Sequence, residues 1–174
     1  MSFYAATKKS NEMMAHAYSH IYKVPITMFR FFTVYGPWGR PDMALFKFAD
    51  AILNGRPIDV YNHGAMKRDF TYVDDLVNAI FKLIECIPHQ ESETQSTYDG
   101  DSISEVAPFR IVNIGNSKPT SLMHYIECLE TALGLTADKN YLPMQPGDVP
   151  ETFADTRLLE TLTGFKPKTS VETG

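Results

Sequence analysis

The sequence has no excess of basic residues. Its 174 residues include 16 Lys and Arg against 21 Asp and Glu, which gives a formal net charge of -5 and a pI near 5.5. Nucleic-acid-binding proteins usually concentrate Lys and Arg on one surface, and the sequence shows no basic stripe. We therefore expect no nucleic-acid partner.

Cysteines and long apolar runs are also scarce. Cys86 and Cys128 lie far apart in apolar periodic segments, so we expect buried, reduced thiols and neither a disulfide framework nor a metal site. No apolar run approaches the roughly 18–20 residues of a membrane helix, and no signal-peptide pattern is present. The sequence therefore predicts a cytoplasmic protein without a membrane partner.

Helical and strand patterns alternate along the chain, which is typical of an α/β fold. The predicted helices cover residues 2–22, 44–54, 75–87, 121–133 and 156–162, the first with an amphipathic pattern and the third with Asp74 as its N-cap. The predicted strands are 26–32, 58–61, 68–73 and 110–114, of which the first and last have a buried composition. Residues 33–40 are rich in turn formers, and the polar segment 89–105 predicts a surface loop.

Tyr4 and Lys8 stand four residues apart on the first predicted helix, so their side chains share one face. A tyrosine with an ordinary pKa of about 10 needs a depression of about three units to act as a base at neutral pH. A nearby ammonium and a cationic nicotinamide favour such a change. Taken alone, however, the pair is weak evidence for catalysis, because an exposed helix often carries a Tyr and a Lys at this spacing as solvated side chains.

Tyr4-Ala-Ala-Thr-Lys8 followed by Arg30-Phe-Phe-Thr-Val-Tyr-Gly-Pro37 resembles the extended short-chain dehydrogenase/reductase family, in which a Y-x-x-x-K helix precedes an R-x-x-x-V-Y-G-P segment. Further motifs of that family follow in order at 42–48, 58–61, 67–72, 112–116 and 145–148. Within the family the sequence is most similar to UDP-glucuronate 4-epimerases. The likeness extends over essentially the whole chain.

The resemblance implies an α/β fold, the C-terminal part of an extended Rossmann-type epimerase. Residues 1–42 would be a remnant of the NAD-binding domain, and 43–174 mainly the small α/β UDP-sugar-binding domain. Segments 68–87 and 110–115 would return to the edge of the NAD-domain sheet. In the full-length family a homodimer is expected.

The resemblance also implies the chemistry. Tyr4 would be the catalytic base, and Lys8 would bind the nicotinamide ribose and favour the phenolate; both would contact NAD. The sugar 4-hydroxyl would lose its proton to Tyr4 and a hydride to NAD. The resulting 4-keto sugar would turn over and take the hydride back on its other face, converting UDP-glucuronate into UDP-galacturonate.

Five residues match substrate-binding positions of the family. Thr33 and Arg40 would contact the hexuronate carboxylate, Tyr61 would pack near the uracil, and Arg68 would reach the diphosphate. Gln145 stands where many relatives carry Arg, so a positive partner of the phosphates is absent or replaced there. Without the resemblance, Thr33 reads as a strand end, Arg40 as a solvated loop residue and Tyr61 as a half-buried aromatic.

The family's glycine-rich turn at a helix N-terminus, which holds the NAD pyrophosphate, does not occur in this sequence. We therefore expect that the chain by itself neither retains NAD nor epimerises a UDP-sugar. Two alternatives stay open. One is a segment of a UDP-sugar decarboxylase or 4,6-dehydratase that uses the same 4-keto intermediate, and the other is a non-catalytic UDP-sugar-binding fragment.

Overall fold

The computed structural model describes residues 2–89 and 100–174. In these residues helices alternate with mostly parallel strands, so the α/β prediction is confirmed. The helices are α1 (Phe3–Tyr22), α2 (Ala44–Leu53), α3 (Val73–Leu83), α4 (Leu122–Leu133) and α5 (Arg157–Thr163). The strands are β1 (Ile26–Phe31), β2 (Thr33–Tyr35), β3 (Ile58–Val60), β4 (Lys67–Tyr72), β5 (Phe109–Ile114), β6 (Pro119–Ser121) and β7 (Lys139–Tyr141).

The first of two compact units lies within Met1–Phe31, Val77–Ile114 and Asp155–Lys166. Its centre is a parallel strand pair, β1 with β5, in which Ile26 is opposite Phe109 and Phe31 is opposite Ile114. Helix α1 contacts both strands and α5 contacts β5. Helix α1 therefore packs against this strand pair.

The second unit comprises Phe32–Leu76, Gly115–Ala154 and Pro167–Gly174. In it β4 pairs in parallel with β2 and antiparallel with β6, and β3 pairs in parallel with β7. Aliphatic side chains from α2, β3 and α4 form one buried cluster. A second cluster is aromatic, with the rings of Phe70 and Tyr125 stacked at 4.2 Å and Tyr35 edge-on to both.

Helix α1 has the predicted bounds, because the Ser2 hydroxyl caps it by accepting the Ala5 N–H and Lys23 ends it in a left-handed conformation. The predicted amphipathic pattern of α1, however, does not produce a buried apolar face. The buried side chains of α1 are polar, Glu12 and Ser19, whereas most of its large apolar residues are exposed. These buried groups are compensated: the Ser19 hydroxyl lies 2.8 Å from the Val24 carbonyl oxygen, and Glu12 is ion-paired.

Several predicted bounds differ from the structure. Helix α3 starts at Val73 and ends at Leu83, so Asp74 lies in its first turn and is not its N-cap. Strand β1 is half-buried to exposed, not buried. Three short strands were not predicted: β2, which falls in the turn-rich segment, β6 and β7. Each has three residues, which is too short for an alternating pattern to be read.

Both cysteines are free thiols, as predicted, but they are half-buried. Of the predicted surface loop 89–105, residues 90–99 lie outside the described residues. Just after them, Asp101 is buried in an ion pair with Arg110, with N to O distances of 2.9 and 3.0 Å. That end of the segment is anchored to β5. No helix in the described ranges has the length and apolar character to cross a membrane.

Candidate active site

Tyr4 and Lys8 lie on the same face of the first two turns of α1. The Lys8 ammonium is 5.4 Å from the centre of the Tyr4 ring, and Tyr4 is 70% exposed. A cation this close to an aromatic ring is electrostatically favoured. The structure therefore brings the two predicted catalytic side chains together, with the phenol open to a ligand.

One helical turn beyond Lys8, Glu12 forms an ion pair that the sequence analysis missed. Arg30 on β1 donates from Nε to Oε1 at 2.6 Å and from Nη2 to Oε2 at 2.7 Å, and Lys9 contacts Oε2 at 2.8 Å. The hydrogen bonds from Arg30, with that from Lys9, lower the pKa of Glu12 to about 2. No local spacing in the sequence indicates this pair, because Glu12 and Arg30 are 18 residues apart.

Thr33 and Arg40 border one small cavity of about 50 Å³ in the second unit, together with residues of the aromatic cluster. Thr33 begins β2, and Arg40 lies in the loop that follows it. The Arg40 guanidinium forms a two-point contact with the Asp42 carboxylate, in which Nε donates to Oδ1 at 3.0 Å and Nη2 contacts Oδ2. This pairing lowers the pKa of Asp42. The planar guanidinium fork matches a carboxylate.

Glycines shape the loop that carries Arg40. Gly36 has φ +130°, and a Cβ there would lie 2.7 Å from Val73 Cγ1. A Cβ on Gly39 would lie 2.5 Å from Phe46 Cε2. Both glycines therefore let the loop pack closely against side chains of its own unit.

Arg68 and the turn that starts at Gln145 lie together. The Arg68 guanidinium donates to Asp148 Oδ1 at 2.8 Å and to the Val149 carbonyl oxygen at 2.7 Å. Asp148 belongs to the turn closed by its own N–H and the Gln145 carbonyl oxygen, 3.2 Å apart. The Gln145 side chain is exposed. Without a ligand, Arg68 thus has a carboxylate as its partner.

Tyr61 follows β3 and begins a tight turn, so its predicted strand position is wrong. The next two residues, Asn62 and His63, have left-handed φ values of 51° and 49°. The His63 N–H donates to the Leu142 carbonyl oxygen at 3.0 Å, which fixes the turn against the end of β7. Tyr61 is half-buried in this turn.

Asp69 is a further residue that the sequence analysis did not single out, although it lies inside a quoted motif. Its carboxylate is fully buried and accepts the N–H groups of Asn116 at 2.7 Å and Ala154 at 3.0 Å. Burial raises the pKa of Asp69. Asp69 thus ties two loops to β4, next to Arg68.

His124, Cys128 and Glu172 were also not singled out, and their possible ligand atoms lie within 4.8 Å of one another. His124 Nε2 and Glu172 Oε1 are 2.6 Å apart, and this hydrogen bond raises the pKa of His124. The cluster is thus explained as a hydrogen-bonded imidazole and carboxylate beside a thiol.

A model of the NAD dependent epimerase/dehydratase family matches residues 1–95, more than half of the chain. The chain belongs to this family. The resemblance seen in the ordered motifs is thereby confirmed.

The similar proteins include several 4-epimerases. The chain is 61% identical over 174 residues to a probable UDP-glucuronate 4-epimerase of Rhizobium meliloti (strain 1021), covering 100% of this chain and 51% of the relative. It is 45% identical over 177 residues to UDP-glucuronate 4-epimerase 1 of Arabidopsis thaliana, covering 99% of this chain and 40% of the relative. The chain thus spans about half the length, or less, of these curated relatives.

A solved structure shares the fold. The crystal structure of UDP-glucuronic acid 4-epimerase from Bacillus cereus in complex with UDP-glucuronic acid and NAD superposes with a TM-score of 0.80 at 32% identity. The match covers 98% of this chain and 49% of that chain. The predicted fold, part of a Rossmann-type epimerase, is confirmed.

The described residues fit one end of NAD. Tyr4 and Lys8 offer an exposed phenol and an ammonium side by side, which suit the hydroxyls of the nicotinamide ribose. The pyrophosphate requires backbone N–H groups at a glycine-containing helix start. Gly36 and Gly39 do not fit that task, because both are packed against their own unit.

Proposed function

We propose that this chain carries the catalytic base and the sugar-binding residues of an NAD-dependent UDP-glucuronate 4-epimerase. The observation that carries the proposal is that Thr33 and Arg40 border one cavity and that the Arg40 fork already holds a carboxylate. A hexuronate differs from a neutral hexose by its carboxylate. A site that pairs with a carboxylate therefore favours the hexuronate.

In the proposed reaction Tyr4, as the phenolate, accepts the proton of the sugar 4-hydroxyl. By the family resemblance Lys8 assists Tyr4, and its ammonium lies 5.4 Å from the centre of the Tyr4 ring. Bound NAD supplies the acceptor and later the donor of the C4 hydride. After the 4-keto sugar has turned over, Tyr4 returns the proton to the new hydroxyl, so no net oxidation occurs.

The nucleotide part must stay bound while the sugar turns. We propose that Tyr61 packs near the uracil and that Arg68 and the Gln145 turn lie near the diphosphate. Arg68 donates to Asp148 in the ligand-free structure, so a phosphate would compete with this carboxylate or share the guanidinium with it. A homodimer, which rests on the resemblance, and a cytoplasmic location, which rests on the cysteine usage of the sequence, are further proposals.

The test uses a chimeric enzyme in which this chain replaces the 61% identical segment of the Rhizobium meliloti relative. The chimeric enzyme is incubated with UDP-glucuronate, and the nucleotide sugars are separated by chromatography. We expect UDP-galacturonate to form. Release of CO₂ with a UDP-pentose would identify a decarboxylase, and loss of water a dehydratase. Binding of UDP-glucuronate without any product would leave only a binding fragment.

A further inference from the structure

Tyr4, Lys8 and Glu12 recur every four residues along α1 and therefore form one column on the helix surface. Helical side chains lean toward the helix N-terminus. Lys8 lies over Tyr4, and Glu12 is one helical turn beyond Lys8. A carboxylate four residues from a lysine is close enough to pair with it, so Glu12 is a potential competitor for the Lys8 ammonium.

The structure shows how this competition is avoided. Both oxygens of Glu12 are occupied by Arg30 at 2.6 and 2.7 Å, and Lys9 shares Oε2 at 2.8 Å. The Glu12 side chain is only 10% exposed, so it has little freedom to turn elsewhere. Lys8 meanwhile lies over Tyr4.

Arg30 is well supported for such a task. It lies on β1 opposite Asn113 of β5, within a six-residue parallel pairing. A strand in a paired sheet moves less than an exposed side chain on a helix surface. The backbone of Arg30 is therefore held by the strand pairing, and its guanidinium binds both carboxylate oxygens of Glu12.

We propose that Arg30 is a positioning residue, which by occupying both oxygens of Glu12 keeps the Lys8 ammonium directed at Tyr4. The catalytic importance of this arrangement rests on the proposed function, in which Lys8 assists Tyr4. The competition between Arg30 and Lys8 for Glu12 does not depend on the proposed function, because it involves only residues of this chain.

The first test measures the reactivity of Lys8 in the purified chain. The chain and its Arg30→Gln variant are acetylated with a small amount of acetic anhydride at neutral pH, and Lys8 is quantified by mass spectrometry relative to Lys82. Arg30→Gln should lower the labelling rate of Lys8 about twofold, because the released Glu12 pairs with the ammonium and keeps it protonated. The double variant Arg30→Gln/Glu12→Gln should regain the original rate.

The matched control is Arg56→Gln, which removes an arginine from an exposed pair with Asp50 and should leave Lys8 unchanged. A folded Arg30→Gln chain with unchanged Lys8 labelling would overturn the proposal. So would a rate that stays low in the double variant, because a general loss of helix structure would explain it. If Arg30→Gln does not fold, Arg30→Lys decides: a single ammonium cannot hold both oxygens, so Lys8 labelling should still fall.

The second test uses the chimeric enzyme. Arg30→Gln should lower kcat for UDP-glucuronate with little change in KM, and the double variant should recover most of kcat. Loss of both parameters in the single and double variants would indicate a structural role only. If Tyr4→Phe does not impair the chimeric enzyme, the proposed function fails, whereas the labelling experiment still decides whether Arg30 keeps Glu12 from Lys8.

Discussion

The contacts of Arg40 with its surroundings distinguish it from an ordinary solvated arginine. In the sequence it is one arginine in a glycine-containing loop, equally compatible with solvation. In the structure its guanidinium makes a two-point contact with Asp42 while bordering a cavity that Thr33 also lines. In the proposed site a substrate carboxylate would have to share or replace the Asp42 contact.

Replacing Arg40 by Leu in the chimeric enzyme should therefore discriminate between substrates. We expect kcat/KM for UDP-glucuronate to fall roughly ten- to a hundredfold, because a charge-assisted contact is worth about 1.5–3 kcal/mol. The value for UDP-glucose, measured by the same chromatographic separation, should change much less. Arg56→Leu, which removes another exposed and ion-paired arginine, serves as the control. Equal losses on both sugars would reject the carboxylate role of Arg40.

Tyr4 is tested by removing one oxygen. Tyr4→Phe in the chimeric enzyme should abolish epimerisation, because the ring remains but the group that takes the proton does not. Affinity for UDP, measured by calorimetry, should stay nearly the same. Tyr18→Phe on the same helix, where the ring also lies exposed and packs on Tyr22 at 4.4 Å, should retain activity. Turnover by Tyr4→Phe near the unmodified level would remove Tyr4 from the role of base.

For individual residues, the sequence could predict only those contacts that follow from local spacing. Tyr4 and Lys8 share a helix face because they are four residues apart, and the structure shows them in contact distance. The Glu12 to Arg30 pair could not be predicted, because it depends on the packing of α1 against β1. The same holds for Arg68, whose partner Asp148 is 80 residues away in sequence.

At the scale of elements, β4 links several features of the second unit. It pairs with both β2 and β6, and it carries Arg68 and the buried Asp69. Its Thr71 is also fully buried, and the hydroxyl oxygen has no hydrogen-bond partner in the described part of the chain. A buried hydroxyl without a partner costs stability.

Thr71→Val should therefore stabilise the chain, since valine has nearly the same shape and no polar group to desolvate. A gain of about 1 kcal/mol corresponds to an increase of about 2–4 °C in Tm for a chain of this size. Thr152→Val is the matched control, because the Thr152 hydroxyl accepts the Asp69 N–H at 3.1 Å and its loss should lower Tm. The Tm values are measured by circular dichroism. A lower Tm for Thr71→Val would show that the Thr71 hydroxyl has a stabilising partner.

The Glu12 to Arg30 pair gives α1 a specific dependence on pH. The pKa of Glu12 falls from its ordinary 4.5 to about 2 in the folded chain, so the folded state favours the carboxylate. The resulting stability is fully present above pH 4.5 and is lost as the pH falls toward 2. In urea titrations, Glu12→Gln should therefore be less stable than the original chain at pH 6, with a smaller difference near pH 2.5. A difference that does not depend on pH would contradict the ion pair.

Elements with strong local patterns were predicted, whereas three of the four three-residue strands were not. The structure explains the bounds of α1 and α4 by capping, since Ser2 and Ser121 are N-caps and Gly134 ends α4 in a left-handed conformation. Strands β2, β6 and β7 have three residues each; β2 and β6 pair with the six-residue β4, and β7 pairs with β3. These short strands thus depend on tertiary contacts, which the local sequence pattern does not contain.

At the scale of the whole molecule, the chain comprises two compact units and belongs to the NAD dependent epimerase/dehydratase family. Tyr4 and Lys8 lie in the first unit, and the five predicted substrate residues lie in the second. The chain spans about half the length of the relatives it matches. Its assignment to cofactor and sugar-binding domains, and each substrate contact, stay predictions.

If the proposed function holds, the hydride leaves C4 of UDP-glucuronate and returns to the same carbon. The most direct measurement gives the chimeric enzyme UDP-glucuronate that carries deuterium at C4 and analyses the product by NMR and mass spectrometry. We predict UDP-galacturonate that retains the deuterium at C4, with none lost to water. A product without deuterium at C4, or a decarboxylated UDP-pentose in place of UDP-galacturonate, would contradict the proposed function.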